Sequence, residues 1–159
     1  MHLVADLAPT FPQRVWFVEL AALADPTLLP LAVAAVLGVR ETAGNAIRDA
    51  ISGALGAQPA LLVLDNCEHL IDESAALADY LLASCPMLRI LATSREPLQI
   101  AGERQYRVAP LALPASDASP GVDTLASSPA VQLFIARAQA VAPAFTSPAR
   151  MPHSLPTSA

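Results

Sequence analysis

At 159 residues, 54% of them apolar and 14% charged, the chain has the length and the core material of one folded domain, and its composition suits packed helices over an aliphatic sheet. The net charge is −5 and all nine basic residues are scattered Arg, so no basic stripe marks a nucleic-acid-binding face. Cys67 and Cys85 do not make a disulfide framework or, with His69, a recognisable zinc pattern; the start lacks the basic region of a secretory signal, and the longest apolar run, Leu28 to Val39, is too short to span a bilayer. The expected setting is the cytoplasm.

Taken in chain order, His2 to Ala8 has helical spacing through Leu3, Val4 and Leu7, and Pro9 and Pro12 end it. Such a helix tail without a beginning reads as a start in mid-domain. Val15 to Leu20 is nearly all apolar and predicts a strand buried on both faces. Asp25-Pro26 opens a helix through Leu37, with Asp25 as N-cap and Gly38 as the stop. A further helix is expected from Asn45 to Leu55. Ala60 to Asp65 is a short aliphatic run ending in an acid, the pattern of a buried parallel strand.

His69 to Ser84 follows as an amphipathic helix, with Leu70, Ser74, Leu77, Ala78, Leu81 and Leu82 along one side and Asp72, Glu73 and Asp79 away from it. Leu88 to Thr93 reads as the next strand and Gln105 to Val108 as a weaker one. Ala109 to Pro129, rich in Pro, Ala and Ser, reads as a loop. Ser128-Pro129 starts a helix to about Val141, with Val131, Phe134, Ile135 and Ala138 on one face. The Pro-rich stretch 143–159 has no periodicity and is expected to be disordered. Strands alternating with helices imply a parallel sheet covered on both faces, with chemistry at the C-terminal ends of the strands. Asp65 and the Thr93-Ser94-Arg95 cluster fall there.

An apolar strand ending in Asp is the Walker B pattern: the strand holds one carboxylate rigidly where it can orient Mg²⁺ beside nucleotide phosphates. A turn acid or helix cap gives the same short pattern, so the longer context has to decide. Leu61 to Leu70 reads LLVLDNCEHL and Ile90 to Leu98 reads ILATSREPL; Gly102-Glu103-Arg104, Tyr106-Arg107-Val108 and Ala130-Val131-Gln132-Leu133-Phe134 follow in order. This set, together with Val15 to Leu20 and Ala24-Asp25-Pro26, resembles the NB-ARC-like P-loop ATPase module of the STAND class. The bacterial LuxR-type and antibiotic-regulatory transcriptional regulators are the nearest group. The resemblance covers about Leu3 to Phe145.

The resemblance implies an α/β fold: an incomplete P-loop NTPase-like parallel sheet flanked by helices, spanning residues 1–142, then a disordered tail over 143–159. It implies ATP or ADP with Mg²⁺ as ligands of the parent family. Asp65 matches the magnesium-orienting acid. Arg95 matches the arginine that reads the γ-phosphate, with Thr93 beside it, and a guanidinium suits bidentate phosphate bonding. A surface ion pair with Glu96 or Glu103 is the alternative role for Arg95. Asn66 stands where related ATPases place a second, catalytic acid, and an amide cannot take a proton from water. Glu68 is the nearest substitute, although an acid early in a helix needs no catalytic reason. His69 reads as a helix-terminus or partner-face residue.

The family's glycine-rich loop ending in Lys-Ser/Thr is missing: the six glycines never form it and the chain has no Lys. ATP hydrolysis by this chain alone is therefore not expected. In the family the strand before that loop lies between the strand ending at Thr93 and the one near Tyr106. Without it, the ladder of the 88–93 strand is exposed or the last strand closes the gap, and poor solubility or pairing with another chain is expected. The sequence after Phe145 also departs from the family, as a truncated or mis-started gene product would. Two readings result: a nucleotide-switch fragment working with other domains or chains of a regulator, or a non-catalytic remnant or protein-interaction piece that binds no nucleotide.

Overall fold

The computed structural model describes residues 11, 14–40, 46–113 and 128–145. The helix expected at His2–Ala8 and the stretch beyond Phe145 lie outside these residues. The described chain divides into two units, one ending at Gln105 and one beginning at Tyr106.

The first unit is built on a three-stranded parallel sheet in the order β1 (Val15–Glu19), β2 (Ala60–Asp65), β3 (Leu88–Ala92). Val15 pairs with Leu61 at one end of the β1–β2 ladder, and Ala60 pairs with Leu88 at the start of β2–β3. β2 is central, and Ala60 to Leu64 are all buried. A central strand can be aliphatic throughout because both faces are covered and every backbone group has a ladder partner.

The period of two sorts the side chains. Ala60, Leu62 and Leu64 join Trp16, Val18, Leu88, Ile90 and Ala92 on the face that the helices cover, whereas Leu61 and Val63 pack with Phe11, Val15 and Leu91 on the other. Each fully buried Leu contributes roughly 1.5–3 kcal/mol of transfer free energy.

Three helices close the first face. Asp25 caps a short 3₁₀ turn, Pro26–Leu28, by accepting from the Thr27 N–H at 3.0 Å and the Thr27 hydroxyl at 2.7 Å. The turn runs into α1 (Leu29–Leu37), which buries Leu29, Val33 and Ala34 and stops at Gly38 with φ 71°. α2 (Ile47–Leu55) buries Ile51 and Leu55, one helical turn apart. α3 (Ile71–Ser84) buries Ser74, Leu77, Ala78 and Leu81. Arg14 joins β1 to α2: its guanidinium donates to the carbonyls of Ala54 and Leu55, at the helix end where such groups lack partners, and lies over the Trp16 ring at 5.3 Å.

The α/β class, the parallel sheet and the flanking helices are as the sequence predicts; four details differ. The three helices of the first unit pack on one face of the sheet among the described residues. β1 is an edge strand, not one buried on both faces: Phe17 is 37% exposed and Glu19 is exposed. The helix expected to run from His69 begins at Ile71, because Cys67–His69 forms a separate 3₁₀ turn. Gln105–Val108 is not a strand; no ladder reaches it, and Tyr106 and Val108 are 90% and 80% exposed. A strand needs a partner as well as a pattern.

In the second unit, residues 106–113 carry no regular structure and α4 (Pro129–Val141) follows. The Ser128 hydroxyl donates to the Ala112 carbonyl at 2.8 Å. Phe134 does not sit in a buried face; it is 63% exposed and meets Phe145 edge-on, with ring centroids 6.1 Å apart.

Candidate functional site

The carboxyl ends of β2 and β3 bring together the residues that the sequence singles out. Asp65 ends β2 half-buried. The chain then turns through Asn66 at φ 71° and ψ 50°, a left-handed conformation that Asn tolerates better than most L-residues. The turn aims the backbone into the Cys67–His69 3₁₀ turn and then α3.

Thr93, just past β3, ties the two strand ends together. Its N–H donates to Leu64 O at 2.9 Å and its carbonyl accepts from the Cys67 N–H at 2.9 Å. Its hydroxyl accepts from the Asn66 N–H at 2.9 Å and donates to the Asp65 carboxylate. One side chain thus orients Asp65 and holds the Asn66 turn. The parallel register, with Leu64 beside Ala92, is what sets Thr93 next to Asp65. The resemblance puts Thr93 among the expected binding residues, but a sequence carries no register, so this positioning contact is legible only in the fold.

Arg95 does form an ion pair, but with Glu68 rather than with Glu96 or Glu103. Its Nε lies 3.3 Å from Glu68 Oε1, with the Arg95 side chain 87% exposed and Glu68 23%. Glu103 serves the following loop instead, accepting from the N–H groups of Leu98 at 3.1 Å and Gln99 at 2.8 Å. Glu96 donates its N–H to the Ser94 hydroxyl at 3.2 Å. His69 Nε2 lies 3.0 Å from Leu23 O, linking the turn after β2 to the loop after β1.

Cys67 lies beneath this surface, fully buried. Its thiol donates to Leu64 O at 3.6 Å; burial pushes it above the usual range, and the charges of Glu68 and Asp65 add to that. A neutral, enclosed thiol is a packing group, not a nucleophile. Among the described residues, no group of three or more His, Cys, Asp or Glu is placed to hold a metal ion, and no helix is long and apolar enough to cross a membrane.

No protein-family model matches the chain, and no solved structure matches it. It is 38% identical over 130 residues to a Mycobacterium tuberculosis protein (strain ATCC 25618 / H37Rv) named "Putative HTH-type transcriptional regulator"; the match covers 82% of this chain and 13% of that protein. A Mycobacterium bovis protein of the same name matches to the same extent. An "Uncharacterized protein" of Mycobacterium tuberculosis is 36% identical over 141 residues, 89% of this chain and 33% of its own length. The chain therefore spans a small part of the relatives it matches, and the similarity links it to proteins named as transcriptional regulators.

Proposed function

We propose that this chain is the acid-and-sensor half of a nucleotide-binding switch module within a transcriptional regulator. The observation that carries the reading is the convergence of Asp65, Thr93, Glu68 and Arg95 at the C-terminal ends of two adjacent parallel strands. In this reading Asp65 orients Mg²⁺, Thr93 fixes the Asp65 rotamer, and Arg95 reads the terminal phosphate. The donor set fits the ion: magnesium usually takes one or two carboxylates and completes its shell with phosphate and water, so a lone oriented Asp is enough. Bound Mg-ATP would supply the γ-phosphate charge that distinguishes it from ADP.

The phosphate cradle is a different matter. Nothing among the 159 residues supplies a glycine-rich Lys loop, so the cradle belongs to another segment or chain. Asn66, where related ATPases place a second, catalytic acid, cannot take a proton. The arrangement suits a switch that holds its nucleotide, not an enzyme that turns over alone. The partners proposed are other domains or chains of a cytoplasmic regulator, with a second copy at the sheet edge, and neither nucleic acid nor membrane meets this segment directly.

Calorimetric titration with Mg-ATP and Mg-ADP tests the reading. Weak Mg-ATP binding is expected, of order 1 mM, about −4 kcal/mol, and Asp65→Ala or Arg95→Ala should each lower it about tenfold. Binding untouched by both substitutions, or none up to about 10 mM, about −2.7 kcal/mol, would sink it. The absent cradle favours a second reading, in which the segment is a protein-interaction piece without nucleotide; the null titration is its expected result.

A further inference from the structure

In the Arg95–Glu68 pair the acid is held and the cation can move. Glu68 lies within the Cys67–His69 3₁₀ turn, which is pinned at several points. The Cys67 N–H donates to Thr93 O at 2.9 Å, the Leu70 N–H donates to Cys67 O at 2.9 Å, and His69 Nε2 lies 3.0 Å from Leu23 O. Arg95 sits in a bend past the end of β3, with its side chain 87% exposed against 23% for Glu68. A long exposed side chain changes rotamer freely, whereas a carboxylate on a pinned turn stays where it is. Glu68 and Arg95 also follow the same two strand ends that carry Asp65 and Thr93.

We propose that Glu68 is an intramolecular competitor for Arg95: it occupies the guanidinium when no nucleotide is bound and yields it to the terminal phosphate of a nucleoside triphosphate. The proposal rests on the reading of Arg95 given above and deepens it, by naming what holds that residue back.

Charge decides the exchange. A carboxylate carries one negative charge, whereas a terminal phosphate carries about two near neutrality and has oxygens placed for both arms of the guanidinium fork. Because Glu68 cannot follow Arg95, the exchange leaves a partly buried carboxylate without its cation, beside the incoming anion. That cost raises the concentration at which the site answers to triphosphate. A nucleoside diphosphate held in the same register ends one phosphate short of Arg95, so the pair stays closed. The expected sign is therefore the reverse of what a metal-binding or proton-accepting Glu68 would give: removing the carboxylate should strengthen Mg-ATP binding.

The test follows the Arg Nε–Hε signals of the full chain by ¹⁵N NMR, with Arg95 identified by the signal lost in Arg95→Gln. Mg-ATP, Mg-ADP and inorganic phosphate are titrated at one fixed low ionic strength, since salt screens such a pair. Mg-ATP should move the Arg95 signal and Mg-ADP should not. Glu68→Gln should tighten Mg-ATP about threefold, from the released pair and the lost repulsion together. The calorimetric affinity for Mg-ADP should be unchanged. Adding Arg95→Gln to Glu68→Gln should erase the gain, an effect that a merely structural role for Glu68 does not produce.

Mg-ATP bound equally or more weakly by Glu68→Gln overturns the proposal and leaves the nucleotide reading standing. Equal tightening of Mg-ATP and Mg-ADP also overturns it, because that is general relief of negative charge. If neither nucleotide binds, the nucleotide reading fails and inorganic phosphate decides the competition: an Arg95 midpoint about threefold lower in Glu68→Gln upholds it, and equal midpoints overturn it. Should Glu68→Gln fail to fold, the unsubstituted chain decides through the ¹³C signal of the Glu68 carboxylate. That signal should move together with Arg95 as Mg-ATP is added, and an Arg95 shift without it overturns the proposal.

Discussion

β2 and α4 are both built mainly from apolar residues, yet one is sealed and the other is open. Ala60 to Leu64 are all buried, while α4 has no buried residue along its length. β2 has a strand on each side and a packed face above and below. Within its own unit, α4 offers Phe134 one aromatic neighbour, Phe145. Apolar pattern selects the type of element; burial comes from what the rest of the fold brings to it.

The largest expected effect tests that contrast directly. Leu62 is fully buried, and Leu62→Ala should cost about 2–5 kcal/mol through lost burial and a residual cavity. Phe134 is 63% exposed, so Phe134→Ala should stay within about 1 kcal/mol. Urea denaturation followed by far-UV circular dichroism reads both. Equal losses would mean that α4 is covered in solution, and the contrast would fail.

The buried thiols give the next effect. Burial raises Cys67 and Cys85 above the ordinary thiol value of 9.0, and a hydrogen bond to Asp49 is the main cause that raises Tyr80 above 10.0. In each case the folded state holds its proton more tightly than the unfolded chain does. The stabilisation is full below the unfolded pKa and is lost as the pH climbs through the folded one. Urea midpoints should be flat near neutrality and then fall above about pH 9, by up to about 1 kcal/mol per pH unit for each thiol. The Cys67→Ala, Cys85→Ala double variant should flatten much of that limb. An unchanged slope in the double variant would show that the thiols do not cause it.

The sequence carries the helices, the central strand and the end of the sheet where the candidate residues gather, because those depend on periodicity, caps and chain order. Asp25, Pro26 and Gly38 bound the α1 region as their chemistry demands. What it does not carry is pairing. Gln105–Val108 has the β-forming residues of a strand and no partner ladder, and β1 reads as a fully buried strand but lies at an edge. The same limit hides two contacts of the candidate site. Thr93 reaches Asp65 only because β3 lies in register beside β2, and Arg95 selects Glu68 over two carboxylates nearer in sequence.

Asn66 probes how much of the site depends on its backbone. A left-handed conformation costs most L-residues roughly 1–2 kcal/mol, and Asn tolerates it. At φ 71°, Asn66→Ala should lower stability by about 1 kcal/mol, while Asn66→Gly should stay within about 0.5 kcal/mol, because Gly has no Cβ to strain. Thermal unfolding of the pair checks this. If Gly is as damaging as Ala, the Asn side chain rather than the turn is what the fold needs.

The smallest effect bears most directly on function. The Arg95–Glu68 pair joins an 87% exposed cation to a partly buried acid, and solvent screens such a pair strongly. A double-mutant cycle with Glu68→Gln and Arg95→Gln should give a coupling of about 0.2–0.5 kcal/mol, shrinking further in high salt. A weak pair leaves Arg95 free to exchange Glu68 for a more strongly charged phosphate, which the switch reading requires. A coupling well above about 1 kcal/mol would make the pair a structural tie, and Arg95 would then be committed to the fold instead of to a ligand.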